Sequence, residues 1–101
     1  MIIAPDACDT MAALRDQIDR IDRELLELLA ERAGYIDRAI VLKRRDNIPA
    51  RTTGRVAEVI ANVREGANRR GLDPDLIERI WTELIEAAIE HETKALNSEP
   101  S

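Results

Sequence analysis

The sequence predicts an all-α protein with three helices per chain, one of them very long, on three observations. Apolar residues recur in steps of three and four along three separate stretches, and no convincing strand pattern appears. Leu, Ile, Val and Ala carry this pattern, because the chain has one Trp, one Tyr and no Phe. The first stretch continues for ~36 residues, which at 1.5 Å per residue is a rod of ~54 Å.

The first helix is expected from about Asp9 or Thr10, either of which can be the N-cap, to about Arg45. One apolar line runs Leu14, Ile18, Ile21, Leu25, Leu28, and a second runs Leu26, Leu29, Ala33, Ile36, Ile40. Continuing the first line lands on Arg32 and then Tyr35. Gly34 lies inside the stretch and costs about 1 kcal/mol relative to Ala. A close helix crossing is one reason to keep it. The segment "RRDNIPARTTG" follows, and Pro49 and Gly54 mark it as a loop.

The second helix is expected from about Arg55 to Arg70, with Val56, Val59, Ile60, Val63 and Ala67 on one face. Gly71 terminates it. Asp73 can cap the third helix, with Pro74 at its first position. That helix continues to about Asn97, with Ile77, Ile80, Trp81, Leu84, Ile85, Ala88 and Ile89 as its apolar face. One helical domain over 9–97 is therefore expected, between a flexible N-terminus (1–8) and a flexible tail (98–101).

A domain of ~100 residues has a radius of gyration of only ~13 Å, so two shorter helices cannot cover the long one. A second copy lying against it is the simplest remedy, giving an intertwined helical homodimer. A kink near Gly34 that folds the rod back is the alternative.

Composition narrows the function. The net charge of −5 argues against general nucleic-acid binding. The one cysteine, Cys8, makes no internal disulfide, and no Cys/His metal spacing is present. "MIIAP" is too short for a signal-peptide core, and no apolar run reaches membrane-spanning length. A cytoplasmic protein with no membrane or nucleic-acid partner is expected.

The charge is uneven. Arg38, Lys43, Arg44, Arg45, Arg51 and Arg55 face a single anion, Asp46, between positions 38 and 55. A solvated helix end and loop would explain this. Helical register suggests more. Arg32 and Lys43 are ~20° apart around the axis and ~16 Å apart along it, so long side chains can reach toward one small molecule. Arg55 opens the second helix, whose N-terminus favours an anion. Arg15 lies ~25 Å before Arg32 and is rotated by ~100°. It reaches such a pocket only from a second chain. The structural alternative is that Arg32 lays its stem along the core and exposes its head, and that Arg15 is a surface residue. Glu92 continues the buried line of the third helix, yet "EHETK" also fits an exposed end, and His91 reads as a surface residue. No Ser/His/Asp arrangement or Gly-rich phosphate loop is present.

The segment "LRDQIDRIDRELLELLAER", followed by Lys43 and Arg55 at the spacing Arg-x16-Arg-x10-Lys-x11-Arg, resembles the all-helical chorismate mutase family. The resemblance covers about Met11 to Leu96. It implies an intertwined homodimer with two active sites built across the chains. The implied reaction is the pericyclic rearrangement of chorismate to prephenate, in phenylalanine and tyrosine biosynthesis, with no cofactor, metal or general base. By the family pattern, Arg32 holds one substrate carboxylate and Arg15 of the partner subunit the other. Lys43 donates to the ether oxygen, Arg55 sits near the breaking bond, and Glu92 falls where relatives carry Gln or Glu facing that oxygen. A unimolecular rearrangement gains from holding the reactive conformer and from donors placed where charge develops.

Three positions depart from the commonest pattern. Thr52 stands where an acidic residue often meets the ring hydroxyl, Ala88 where a Ser often donates, and Gly54 in a turn that is usually more constrained. A related group with the same scaffold, the isochorismate-pyruvate lyases, gives salicylate and pyruvate. "IPA" at 48–50 and "RVA" at 55–57 look somewhat like their loop, but those enzymes carry Gln at the Glu92 position, which favours the mutase. A non-catalytic helical dimer is the remaining alternative.

Overall fold

The computed structural model of the chain describes residues 1–98. Ala4 leads a short 3-10 helix over Pro5–Ala7, followed by α1 (Met11–Asp46), α2 (Thr53–Arg69) and α3 (Pro74–Asn97). No strand occurs among the described residues, so the all-α expectation holds. The chain divides into two units, Met1–Tyr35 and Ile36–Ser101.

In the first unit, Thr10 acts as the N-cap of α1: its Oγ1 accepts from the Ala13 N–H at 3.0 Å. This decides between the two candidate caps. Residues 1–8, expected to be flexible, carry the 3-10 turn and two ties to α1. Gln17 Oε1 accepts from the Ile3 N–H at 3.3 Å, and Gln17 Nε2 donates to the Met1 carbonyl at 3.0 Å. The apolar line along α1 is open to solvent in the single chain: Ile18, Ile21, Leu25 and Leu28 are each about half exposed (49%, 46%, 52% and 60%). Helix α1 runs through Gly34 without a break, and a Cβ built there meets nothing within 4 Å. Among the described residues, no neighbour requires a glycine there.

The second unit holds the buried core residues Ile40, Ala67 and Ile85. Helix α2 packs along α3. Arg64 bridges the pair, donating to Asp75 at 3.0 Å and Glu78 at 3.2 Å. The C-terminal ends of α1 and α2 close in the same way. Asn47, in the left-handed region at φ 57°, follows α1, and the Ile48 N–H bonds to the Lys43 carbonyl at 2.9 Å. Gly71, at φ 71°, follows α2, and the Leu72 N–H bonds to the Ala67 carbonyl at 2.9 Å. These six-to-one bonds satisfy carbonyls that a helix end leaves free.

Helix α3 begins as expected, with Asp73 Oδ1 accepting from the Asp75 N–H at 2.9 Å ahead of Pro74. Helix α2 begins two residues earlier than expected, at Thr53, so Gly54 is helical and not part of the loop. A glycine in the first turn interrupts little, because the first N–H groups of a helix have no partner within it. Of the expected tail, Ser98 is described, with its N–H on the Ala95 carbonyl at 3.3 Å. The remainder, 99–101, lies outside the described residues.

Candidate functional site

The second unit brings two of the expected site residues together. Lys43, three residues before the end of α1, extends its side chain to α3, where Nζ lies 3.3 Å from Glu92 Oε1. The same ammonium donates to the Ala50 carbonyl at 2.7 Å. Both side chains are sheltered, at 18% and 5% exposure. A buried carboxylate needs a cation or hydrogen bonds beside it, because leaving water otherwise costs several kcal/mol. Glu92 therefore belongs to the inward face of α3, and the exposed-end alternative for it does not hold. His91 is exposed, as expected, and its Nε2 lies 2.8 Å from Asp37 Oδ1.

The loop between α1 and α2 shapes the surroundings of this pair. An open groove beside Lys43 is lined by Ile48, Pro49, Ala50, Thr93 and Leu96, among others. Arg44 closes one side by donating to the Ala95 carbonyl at 2.5 Å. Arg51 reaches Glu86 on α3 with two parallel bonds of 3.0 and 2.6 Å. The guanidinium, hydrogen-bonded to the carboxylate, holds Glu86 below the usual carboxylate range and raises Arg51 in turn.

Among the described residues, no hydrogen bond or ion pair joins the side chains of the other expected site residues to this pair. Arg55 is exposed and is engaged by Glu58 one turn along α2. No hydrogen bond or ion pair joins it to Lys43 or Glu92 among the described residues. Thr52, the half-buried N-cap of α2, makes no capping bond with its side chain. Ala88 is half-buried on α3, one turn before Glu92. In the first unit, Arg15 is exposed and Arg32 half-buried on α1. Neither makes an ion pair among the described residues.

Two participants escaped the sequence reading. The Ala50 carbonyl is a backbone group with no sequence signal. The Arg51–Glu86 pair spans 35 positions and two elements. Among the described residues, no group of three or more His, Cys, Asp or Glu side chains is arranged to hold a metal. No helix there is long and apolar enough to cross a membrane.

The chain is thus an all-α protein with a sheltered Lys–Glu pair and further cations at fixed helical spacing. The comparisons name the family: the chain belongs to the chorismate mutase type II family, whose model matches residues 14–93. Among known proteins it is similar to the T-protein of Enterobacter agglomerans, 37% identical over 75 residues. It is also similar to the isochorismate pyruvate lyase of Pseudomonas aeruginosa, 31% identical over 91 residues, and to the secreted chorismate mutase of Mycobacterium tuberculosis, 34% identical over 70. The matches take in 74%, 89% and 67% of this chain. They span 20% of the T-protein and 35% of the secreted mutase, but 88% of the lyase. No solved structure matches the chain significantly.

Proposed function

We propose that the protein is a chorismate mutase, converting chorismate to prephenate and feeding phenylalanine and tyrosine synthesis. The observation that carries this reading is the Lys43 ammonium, sheltered between Glu92 and the Ala50 carbonyl in a chain of the chorismate mutase type II family. An ammonium has three N–H donors. Ala50 and Glu92 account for two, and the third is available to a substrate oxygen.

The rearrangement breaks a C–O bond as a C–C bond forms, and negative charge gathers on the ether oxygen. Lys43 donates there, and this stabilises the transition state more than the ground state. Arg32 takes one substrate carboxylate and Arg15 of the partner subunit takes the other. Together they hold the chair-like conformer from which the reaction proceeds. Arg55 exchanges Glu58 for the substrate near the breaking bond. Thr52 and Ala88 face the ring, and Glu92 stands at the ether oxygen beside Lys43. The step calls for no cofactor, metal or covalent intermediate.

The homodimer is part of the proposal. The half-exposed line Ile18, Ile21, Leu25, Leu28 supports it, since a continuous apolar stripe on a long helix favours burial against a second copy. A cytoplasmic location is also proposed. One relative is named as secreted, so cell fractionation is the check.

One observation favours a second reading. The lyase relative matches nearly end to end, which the other two relatives do not. Isochorismate would then lose pyruvate to give salicylate at the same cations. A side-by-side assay decides. Prephenate from chorismate, with isochorismate left intact, supports the mutase. Pyruvate from isochorismate with chorismate unchanged gives the lyase. Turnover of neither leaves a non-catalytic helical dimer.

A further inference from the structure

We infer that the Arg51–Glu86 pair is a positioning element for Lys43: it straps the α1–α2 loop onto α3, so that the Ala50 carbonyl stays where it holds the Lys43 ammonium. The inference rests on the reading of Lys43 as the donor to the substrate.

The covalent link is direct. The Ala50 carbonyl and the Arg51 nitrogen belong to one planar peptide group, so anchoring Arg51 limits how that carbonyl can swing. The anchor is a two-point fork, with Arg51 Nη1 and Nη2 at 3.0 and 2.6 Å from the two oxygens of Glu86. A bidentate pair sets orientation as well as distance. The loop is also closed at its other end. Asn47 takes the left-handed conformation, the Ile48 N–H returns to the Lys43 carbonyl at 2.9 Å, and Pro49 has its φ set by its ring. The freedom left in the loop lies at Ala50 to Thr52, where Arg51 acts.

Helix α3 serves as the common reference. Glu86 and Glu92 are six residues apart, ~9 Å along one rigid helix. One receives the loop and the other receives Lys43. The ammonium is thus set from two sides, by a carboxylate on α3 and by a carbonyl whose place α3 also determines. Arg51 and Glu86 side chains are 45% and 49% exposed. Exposed ion pairs contribute little to global stability. A pair retained for stability alone would therefore leave catalysis and Lys43 unchanged when removed, whereas a strap would alter both.

The test uses Glu86→Ala, Arg51→Lys, which keeps the charge and loses the fork, and the reversed pair Arg51→Glu with Glu86→Arg. Three readouts are taken on the full chain: steady-state kinetics on chorismate, melting temperature, and the rate of Lys43 acetylation by acetic anhydride, mapped by mass spectrometry. Each single variant should lower kcat about tenfold while KM and the melting temperature barely move, as expected for a misplaced donor. Lys43 acetylation should accelerate several-fold, and the reversed pair should recover most of both effects. An unchanged kcat in both single variants, with an active wild type, overturns the inference. A loss of kcat that only tracks a fallen melting temperature overturns it as well. If the wild type turns over neither chorismate nor isochorismate, the functional reading falls by itself. The acetylation rate then decides the strap: unchanged rates overturn it, and accelerated rates that the reversed pair restores support it.

Discussion

Lys43 Nζ lies 3.3 Å from the Glu92 carboxylate, and the two side chains, 49 positions apart in sequence, are 18% and 5% exposed. Neither group is comfortable there alone. The pair therefore links the stability of the second unit to the chemistry proposed for it.

Removing one partner should cost more stability than removing both charges. Lys43→Ala leaves a buried carboxylate unpaired, a loss of roughly 3 kcal/mol. Adding Glu92→Gln to it should restore most of that stability, because a neutral amide loses less on burial than an unpaired carboxylate. Activity should stay abolished in both variants, since the donor is gone. Urea titrations and a chorismate assay on the two proteins check this. Equal stability of the single and double variants would mean that Glu92 is not held by Lys43 in solution.

The neutral amide at position 92 offers a second test. As an anion, Glu92 opposes the charge developing on the ether oxygen, whereas a Gln amide donates to it. Glu92→Gln should therefore raise kcat on chorismate several-fold at neutral pH. An unchanged kcat in the variant would remove Glu92 from contact with the reacting atoms.

Sharing of the site between protomers is tested by mixing. Arg15→Ala and Arg32→Ala should each lose activity by about a hundredfold or more, as charge-stabilising groups do. Heterodimers formed by refolding the two together should recover part of it, because one of their two pockets keeps both arginines. Inactive mixtures of confirmed heterodimers would count against the shared pocket.

The end of α2 gives a prediction about the fold alone. Gly71 sits at φ 71°, where a Cβ would meet no neighbour, so the cost of a side chain there is conformational. Gly71→Ala should destabilise the chain by about 1 kcal/mol, the penalty of the left-handed region for an L-residue. Thermal melts measure it. The activity on chorismate at low temperature should be unaffected.

Much of the fold was legible because helix signals are local. Asp73 followed by Pro74 marked the start of α3, and Gly71 marked the stop of α2, each by the backbone geometry those residues favour. The start of α2 was displaced because Gly54 looks like a loop residue yet costs little in a first turn. The N-terminal segment was not legible, since nothing in its sequence announces that Gln17 would bind the Met1 carbonyl and the Ile3 N–H. Of the candidate site, the spacing of Arg15, Arg32, Lys43 and Arg55 carried the resemblance that the family match then bore out. The side-chain partners were another matter: Arg55 is on Glu58, and Lys43 divides its donors between Glu92 and a backbone carbonyl.

By itself, then, the sequence determined three helices, the cap of α3 and the stop of α2, the apolar seam of α1 and the family, since periodicity and capping depend on residues within a turn or two of one another. Only the tertiary structure decided that Glu92 is buried, that Lys43 is its partner, and that Arg51 ties the intervening loop to Glu86. Those outcomes depend on how α1, its loop and α3 meet. No spacing along one helix encodes that meeting. It is set by which side chains must leave water together and which charges must follow them.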